Sequence, residues 1–319
     1  MTVKRHLVSS LLQTIPTFFV IITLNFVLFR LAPGDPAIYL AGEGASLKEI
    51  EAVRTRLGLD RPLFEQYAIY IGDLLRGDLG YSYSYNAPVL RVFFSALPNT
   101  LLLTLTAFLI SVPLGILGGL IASKKPHSKL DSVVTIGLLA AYSAPPFWLG
   151  LIMSLVFGVI LHLFPVTGMV TLVGAGGYVQ DLIWHMVLPV SVLGLGTAAL
   201  KFRLMKSSML EVINKDFVTL AWSKGCDENA VYYKHSFRNA LLPVLTMLGL
   251  QVRTIFEGSA LVEVVFAWPG TGWLMYEAIF SRDYPLLSGG LIVYSLVQIL
   301  SSLFVDLLYV LVDPRIRYD

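Results

Sequence analysis

Six stretches of this 319-residue chain, residues 7–29, 100–122, 133–161, 186–205, 241–262 and 286–312, are apolar and long enough to cross a bilayer as helices. A hydrocarbon core of about 30 Å takes roughly 20 helical residues. The rest of the composition agrees: 56% of residues are hydrophobic and only 14% charged, where soluble domains carry about 25% charge. The expected fold class is an all-α polytopic membrane protein with six transmembrane helices. A formal net charge of +2 gives no reason to expect a nucleic-acid partner. The single cysteine, Cys226, excludes an intrachain disulfide, and the five histidines lack close metal-ligand spacing, so no metal site is expected.

Charge placement sets the orientation. Lys4 and Arg5 precede the first span, and Lys124, Lys125 and Lys129 lie between the second and third. Seven basic residues from Lys201 to Arg238 sit at or between the fourth and fifth, and Arg315 and Arg317 close the chain. These are 14 of the 23 Lys and Arg, whereas residues 162–184 contain none. The excess of cations on one side puts both termini in the cytoplasm of a cell with an inner membrane. The first span is too long for a signal-peptide core and is followed by no small-residue cleavage site, so it is expected to stay attached.

Three parts follow: a first span (1–30), an extracytoplasmic segment (31–98), and a membrane core (99–319) carrying a cytoplasmic loop at 206–240. The extracytoplasmic segment has its own helical pattern. Ser46 and Glu49 have capping-box spacing, and Leu47, Ile50, Val53 and Leu57 recur at helical intervals before Gly58. Pro62 suits the first turn of a second helix carrying Leu63, Tyr67, Tyr70, Ile71 and Leu74 up to Gly77. Tyr81, Tyr83 and Tyr85 alternate with serines, as in a half-buried strand. Such a segment is either a cap on its own membrane domain or a docking surface for a soluble partner.

The polar stretch 217–243 stands between two apolar runs and predicts a helix that breaks sharply. Leu220, Ala221 and Trp222 can supply a contact surface, Gly225 permits the left-handed turn that ends a helix, and Asp227 can cap the next one. Asp227 and Glu228 also suit the positive N-terminal end of that helix.

Several short motifs recur in order along the chain. Pro33-Gly34-Asp35-Pro36 follows the first span, then Leu57-Gly58-Leu59-Asp60, Gly77-Asp78-Leu79-Gly80 and Leu97-Pro98-Asn99-Thr100. Arg238-Asn239-Ala240-Leu241-Leu242-Pro243, Phe266-Ala267-Trp268-Pro269-Gly270, Arg282-Asp283-Tyr284-Pro285 and Asp313-Pro314-Arg315-Ile316-Arg317 complete the series. In this order they resemble the peptide/nickel-type ABC importer permeases, specifically the B-type subunit with a type I permease fold. The 217–243 stretch resembles that family's EAA loop, in which a short cytoplasmic helix docks into an ATPase. Thr219, Leu220 and Ala221 occupy the first three places and Gly225 the glycine. The Leu-Pro pair comes five residues later than in the general pattern, which is the peptide-type form.

The resemblance implies a coupling role for Thr219, Leu220, Ala221, Gly225, Asp227 and Glu228. It also implies a second homologous permease, two ATPase subunits, an extracytoplasmic solute-binding protein and a surrounding of membrane lipid. ATP and Mg²⁺ would sit on the ATPases, with no cofactor bound by this chain. Consistently, nothing in the sequence has the spacing of a Walker A phosphate loop, and no nucleophile or metalloprotease motif suggests an enzyme.

Charges inside spans cost roughly 2.5–3.5 kcal/mol each at a helix centre, so they rarely face lipid. Arg253 and Glu257, four apart on one helix face, form either a structural pair or part of the translocation pathway. Asn25 and Asp306 are further pathway candidates. Pro113, Pro145-Pro146 and Pro189 should kink spans two to four, and Gly115, Gly118, Gly119, Gly194 and Gly196 allow close helix approach. The cargo expected from the resemblance is di- or oligopeptides, with nickel or a metal chelate as the alternative. A proton-coupled secondary transporter is the rival mechanism.

Overall fold

The computed structural model describes residues 3–31, 37–38, 45–56, 58–171, 177–253 and 259–312. Leu57, Glu257, and the motifs at 33–36 and 313–317 lie outside the described residues. The chain divides into two compact units, residues 1–95 with 274–319, and residues 96–273.

In the first unit, α1 (Val3–Leu31) packs against α12 (Tyr284–Val312). Between them in sequence come α2 (Leu47–Arg56), α3 (Leu63–Leu75) and a hairpin of β1 (Tyr81–Ser82) and β2 (Ala87–Pro88), paired Tyr81 with Pro88. The capping box at α2 forms reciprocally: the Ser46 N–H donates to Glu49 Oε2 at 2.7 Å and the Glu49 N–H to Ser46 Oγ at 3.4 Å. The Ser46 N–H, with the Ser46 hydroxyl donating to the same oxygen at 2.8 Å, holds the Glu49 carboxyl below its ordinary pKa. Pro62 stands one place earlier than its sequence suggests, as the residue before α3, where its carbonyl accepts from Gln66 N–H.

The expected strand through Tyr81, Tyr83 and Tyr85 is cut to two residues, Tyr81–Ser82. Ser82 is fully buried while Tyr81 and Tyr85 are about half exposed. The reason is a buried acceptor. Asp283, at the start of α12, takes a 2.6 Å hydrogen bond from Ser82 Oγ and a 3.0 Å bond from Ser84 N–H, and caps Leu286 N–H at 3.1 Å. A small hydroxyl reaches that carboxylate where a ring could not.

In the second unit, α4 (Val89–Lys124, from residue 96), α5 (Lys129–Ser143), α6 (Pro146–Met153, continued by a π-helical segment Ser154–Ile160) and α7 (Tyr178–Val212) precede α8 (Asp216–Ser223). A second π-helical segment (Ala230–Ser236) leads into α9 (Phe237–Arg253), followed by α10 (Ala260–Val265) and the start of α11 (Thr271–Phe280). Among the described residues, four helices (α1, α4, α7 and α12) are long and apolar enough to cross a membrane, or five if the bent pair α5–α6 is one span. The expected third span is therefore not one rod: the chain bends by 114° between its halves. Ala144 is extended (φ −76°, ψ 138°), as a residue before proline must be, and Pro145-Pro146 restarts the helix where a missing N–H costs nothing. Pro113 and Pro189 instead lie inside unbroken helices. The expected fifth span maps onto α9 and α10, with residues 254–258 between them outside the description.

Helices α4 and α7 meet through glycine. A Cβ on Gly119 would fall 2.6 Å from the Phe202 carbonyl oxygen and 2.8 Å from Met205 Cβ, and one on Gly115 would lie 2.8 Å from the Ala198 oxygen. Gly118 meets only a ring edge at 3.2 Å, and Gly194 and Gly196 have ordinary or open surroundings, so two of the five small-residue expectations carry the contact. Gly119→Ala is expected to destabilise the protein by about 1–3 kcal/mol, as overpacking does. Gly137→Ala, where nothing stands within 4 Å, should not. Thermal denaturation of the purified protein in detergent separates the two.

Candidate functional site

Helix α7 has 35 residues, about 52 Å at helical rise, well beyond the thickness of a hydrocarbon core. Its final turns, with the end of α4, form the floor on which α8 rests. Val218 and Ala221 of α8 are buried with Leu120, Met205, Met209 and Val212, and the far side of this core is Val231, Tyr232, Ala240 and Val244. Around that buried side three large apolar side chains of α8 are left open: Phe217, Leu220 and Trp222 are 40%, 54% and 46% exposed. Ala221 therefore serves packing, not the open surface expected of it, because its position shares the inward face with Val218. Thr219 and Glu228 are exposed.

The end of α8 is closed by backbone geometry. Gly225 has φ +77°, its N–H donates to the Trp222 carbonyl at 2.9 Å, and the Cys226 N–H donates to the Ala221 carbonyl at 3.2 Å. This paired closure satisfies the last carbonyls of a helix and needs a left-handed residue where glycine carries no Cβ penalty. Asp227 then opens the next helix, its carbonyl accepting from Val231 N–H at 3.0 Å and its carboxylate lying 3.4 Å from Ala230 N.

A second clamp joins this segment to the end of α4. The Tyr232 hydroxyl donates to the Leu120 carbonyl at 2.8 Å and shares a hydrogen bond with Ser123 Oγ. Burial pushes the Tyr232 phenol above its ordinary pKa, which keeps that proton in place. Lys124 Nζ stands 4.5 Å from the centre of the Tyr233 ring and 5.1 Å from that of Tyr232. Alongside, Lys206 of α7 pairs with Asp131 at the start of α5, which also accepts from His127 N–H and the Thr135 hydroxyl. Two short turns and one buried core thus tie α8 to α4 and α7.

The pathway candidates fare differently. Asn25 is buried, and its Nδ2 donates to the Ser288 carbonyl at 2.9 Å and the Tyr70 hydroxyl at 3.1 Å, tying α1 to α12 and α3. Glu257 and the side chains of Arg253 and Asp306 lie outside the described residues.

Sequence reasoning missed Lys201, which was grouped with the basic residues of the 206–240 side. It is fully buried inside α7, its Nζ donating to Ser111 Oγ at 2.9 Å and to the Thr197 carbonyl at 3.3 Å, 5.3 Å from the Phe108 ring centre. A signal was present: Lys201 falls at helical spacing from Ala198, Met205 and Met209, all buried.

The short motifs pair in space, unit by unit. In the second unit, Asn99 Nδ2 donates to the Pro269 carbonyl at 2.8 Å and the buried Trp268 Nε1 donates to the Asn99 carbonyl at 2.9 Å. Thr100 Oγ1 accepts from Thr271 N–H at 2.8 Å, and the buried Glu263 accepts from Gly272 N–H at 2.7 Å, capping α11. In the first unit, Asp283 clamps the hairpin as described.

Four helices, or five with the bent pair, that are long and apolar enough to cross a membrane among the described residues set this chain in the class of multi-span membrane proteins. The chain belongs to the binding-protein-dependent transport system inner membrane component family, which its residues 115–318 match; residues 3–104 match the corresponding N-terminal family. It is 40% identical to the di/tripeptide transport system permease protein DppB of Pseudomonas aeruginosa (strain UCBPP-PA14), covering 96% of each chain. It is 37% identical to the oligopeptide transport system permease protein AppB of Bacillus subtilis (strain 168), over 98% of this chain and 99% of that one. The dipeptide transport system permease protein DppB of Escherichia coli (strain K12) is also 37% identical, over 95% and 96%. The resemblance read from the motifs is thereby established at the level of the family.

Asp283→Ala should release the β1–β2 hairpin. Its three donors lose their acceptor, and chymotrypsin should then cut after Tyr81, Tyr83 or Tyr85 at least fivefold faster than in the parent protein. Limited proteolysis followed by mass spectrometry reads this directly.

Proposed function

We propose that the chain is a pathway-forming subunit of an ATP-driven importer of di- and oligopeptides in the inner membrane, with six spans and both termini in the cytoplasm. The observation that carries this reading is full-length similarity to three permeases named for peptide transport, joined to a short helix that leaves three large apolar side chains open. Exposed apolar patches of that kind mark protein-binding surfaces. Phe217, Leu220 and Trp222 would meet a partner ATPase, which would hold ATP and Mg²⁺. A second homologous permease, a second ATPase and a solute-binding protein would complete the assembly.

The mechanism follows from rigidity. ATP binding in the partner moves its surface, α8 is carried with it, and the buried core of Val218, Ala221, Met209 and Leu120 transfers the displacement to α7 and α4. Spans that gate the pathway then alternate between openings. The names of the relatives favour peptide over the nickel or metal-chelate alternative.

Proteoliposomes containing the complete transporter should take up dipeptide when ATP is supplied and continue to do so with the proton gradient collapsed. Uptake that stops with the gradient at constant ATP would make this a secondary transporter. Gly225→Pro, which cannot adopt φ +77°, and Asp227→Lys, which reverses charge at a helix N-terminus, should each lower uptake at least tenfold with unchanged amounts in the membrane. Labelling of Cys226 by an impermeant thiol reagent added outside intact cells would overturn the orientation.

A further inference from the structure

The first unit encloses a cavity of about 260 Å³ at the Leu31 end of α1, where that helix's apolar window stops. Its wall includes Arg30, Asp73, Asp78, Tyr70, Tyr83 and Tyr284. Arg30 is half-buried and its guanidinium carbon stands 5.5 Å over the Phe26 ring. Among the described residues it forms no ion pair. Phe26 in turn packs against Tyr67 and Tyr70 at 5.1 and 5.4 Å between ring centres, and Phe29 against Tyr284 at 6.1 Å, so the site is held by aromatic contacts. Asp78 spends one oxygen on Gly80 N–H at 2.8 Å and keeps the other.

A cation with no carboxylate partner among the described residues, lining one small space with Asp73 and Asp78, presents both signs of charge to it. Withdrawing a guanidinium from water costs free energy unless an anion meets it. A phosphate suits its planar fork, and a primary ammonium suits the two aspartates and the ring faces. The neighbouring surface indicates where such a molecule comes from. Phe19 and Val27 of α1, 55% and 40% exposed, fall at helical spacing on the side of the helix that carries Arg30 and form an apolar line leading to it. Acyl chains fit that line, and the cavity is smaller than the roughly 300–1,000 Å³ of sites that enclose whole drug-sized ligands, as expected when only a headgroup enters.

We infer that this cavity is a binding site for the headgroup of a zwitterionic phospholipid bearing a primary amine, phosphatidylethanolamine, with phosphate on Arg30 and ammonium between Asp73 and Asp78. The site would fasten α1 and the 45–88 segment to one lipid at the membrane boundary. It does not depend on which solute is carried.

The test uses the complete transporter in nanodiscs of equal phosphatidylethanolamine, phosphatidylcholine and phosphatidylglycerol, washed in detergent, with retained lipid counted by mass spectrometry. Phosphatidylethanolamine should be enriched at least fivefold over both others. Arg30→Ala and Asp73→Asn should each abolish the enrichment, and Arg30→Lys should keep part of it, with the thermal transition unchanged. If Arg30→Ala does not fold, Asp73→Asn and Arg30→Lys decide. Equal retention of the three lipids, or unaltered enrichment in Asp73→Asn, overturns the inference. So does displacement of the lipid by a dipeptide, which would make the cavity a cargo site, or by glycerophosphoethanolamine at equal concentration, which would show that the acyl chains contribute nothing.

Discussion

The crossing of α4 over α7 is the contact on which the rest of the second unit depends. In lipid there is no hydrophobic force to press two apolar helices together, so close van der Waals fit must do it. Gly115 and Gly119 provide that fit by removing the side chains that would hold the backbones apart. Everything beyond the crossing inherits its position: Met205 and Met209 on one helix and Leu120 on the other lie on the same side of it and form the floor under α8. Backbone contact along two turns of helix supplies more stiffness than long side chains would.

Rigidity also explains how α8 ends. A helix of eight residues is too short to be stable alone, so its conformation is set by the core beneath it and by closure at Gly225. Tyr232 and Lys124 bring the following segment back to the same floor. The three large side chains left outside, Phe217, Leu220 and Trp222, are thus presented by a surface with little freedom of its own. A partner that binds there loses little of its binding free energy to ordering the site.

What the sequence made legible was local. Ser46 with Glu49, Gly225 with Asp227, and Pro145 with Pro146 act within one turn of chain, and each formed where its chemistry required, though the proline pair broke the helix outright instead of bending it. What it hid depended on distant partners. The alternation of tyrosine and serine at 81–85 implied a half-buried strand without marking the buried face, and Asp283, some 200 residues away, selected Ser82. Lys201 read as one more cation on a basic side because its acceptor, Ser111, lies on another helix. Ala221 and Leu220 are adjacent in sequence and alike in polarity, and only the core under α8 separates their roles. The motifs that signalled the family gave no hint of why they recur; Asn99 with Trp268 shows two of them as halves of one clasp.

The buried ammonium of Lys201 has a bearing on biosynthesis. Its side-chain acceptor, Ser111, lies 90 residues earlier in the chain, so α4 is already made when α7 emerges. A helix carrying a lysine in its interior is a poor guest for bare lipid, but it can be received against a neighbour that offers a hydroxyl and an aromatic face. The order of translation thus delivers the host before the guest, and a circularly permuted chain that reversed that order would ask α7 to enter the bilayer with its charge unaccompanied.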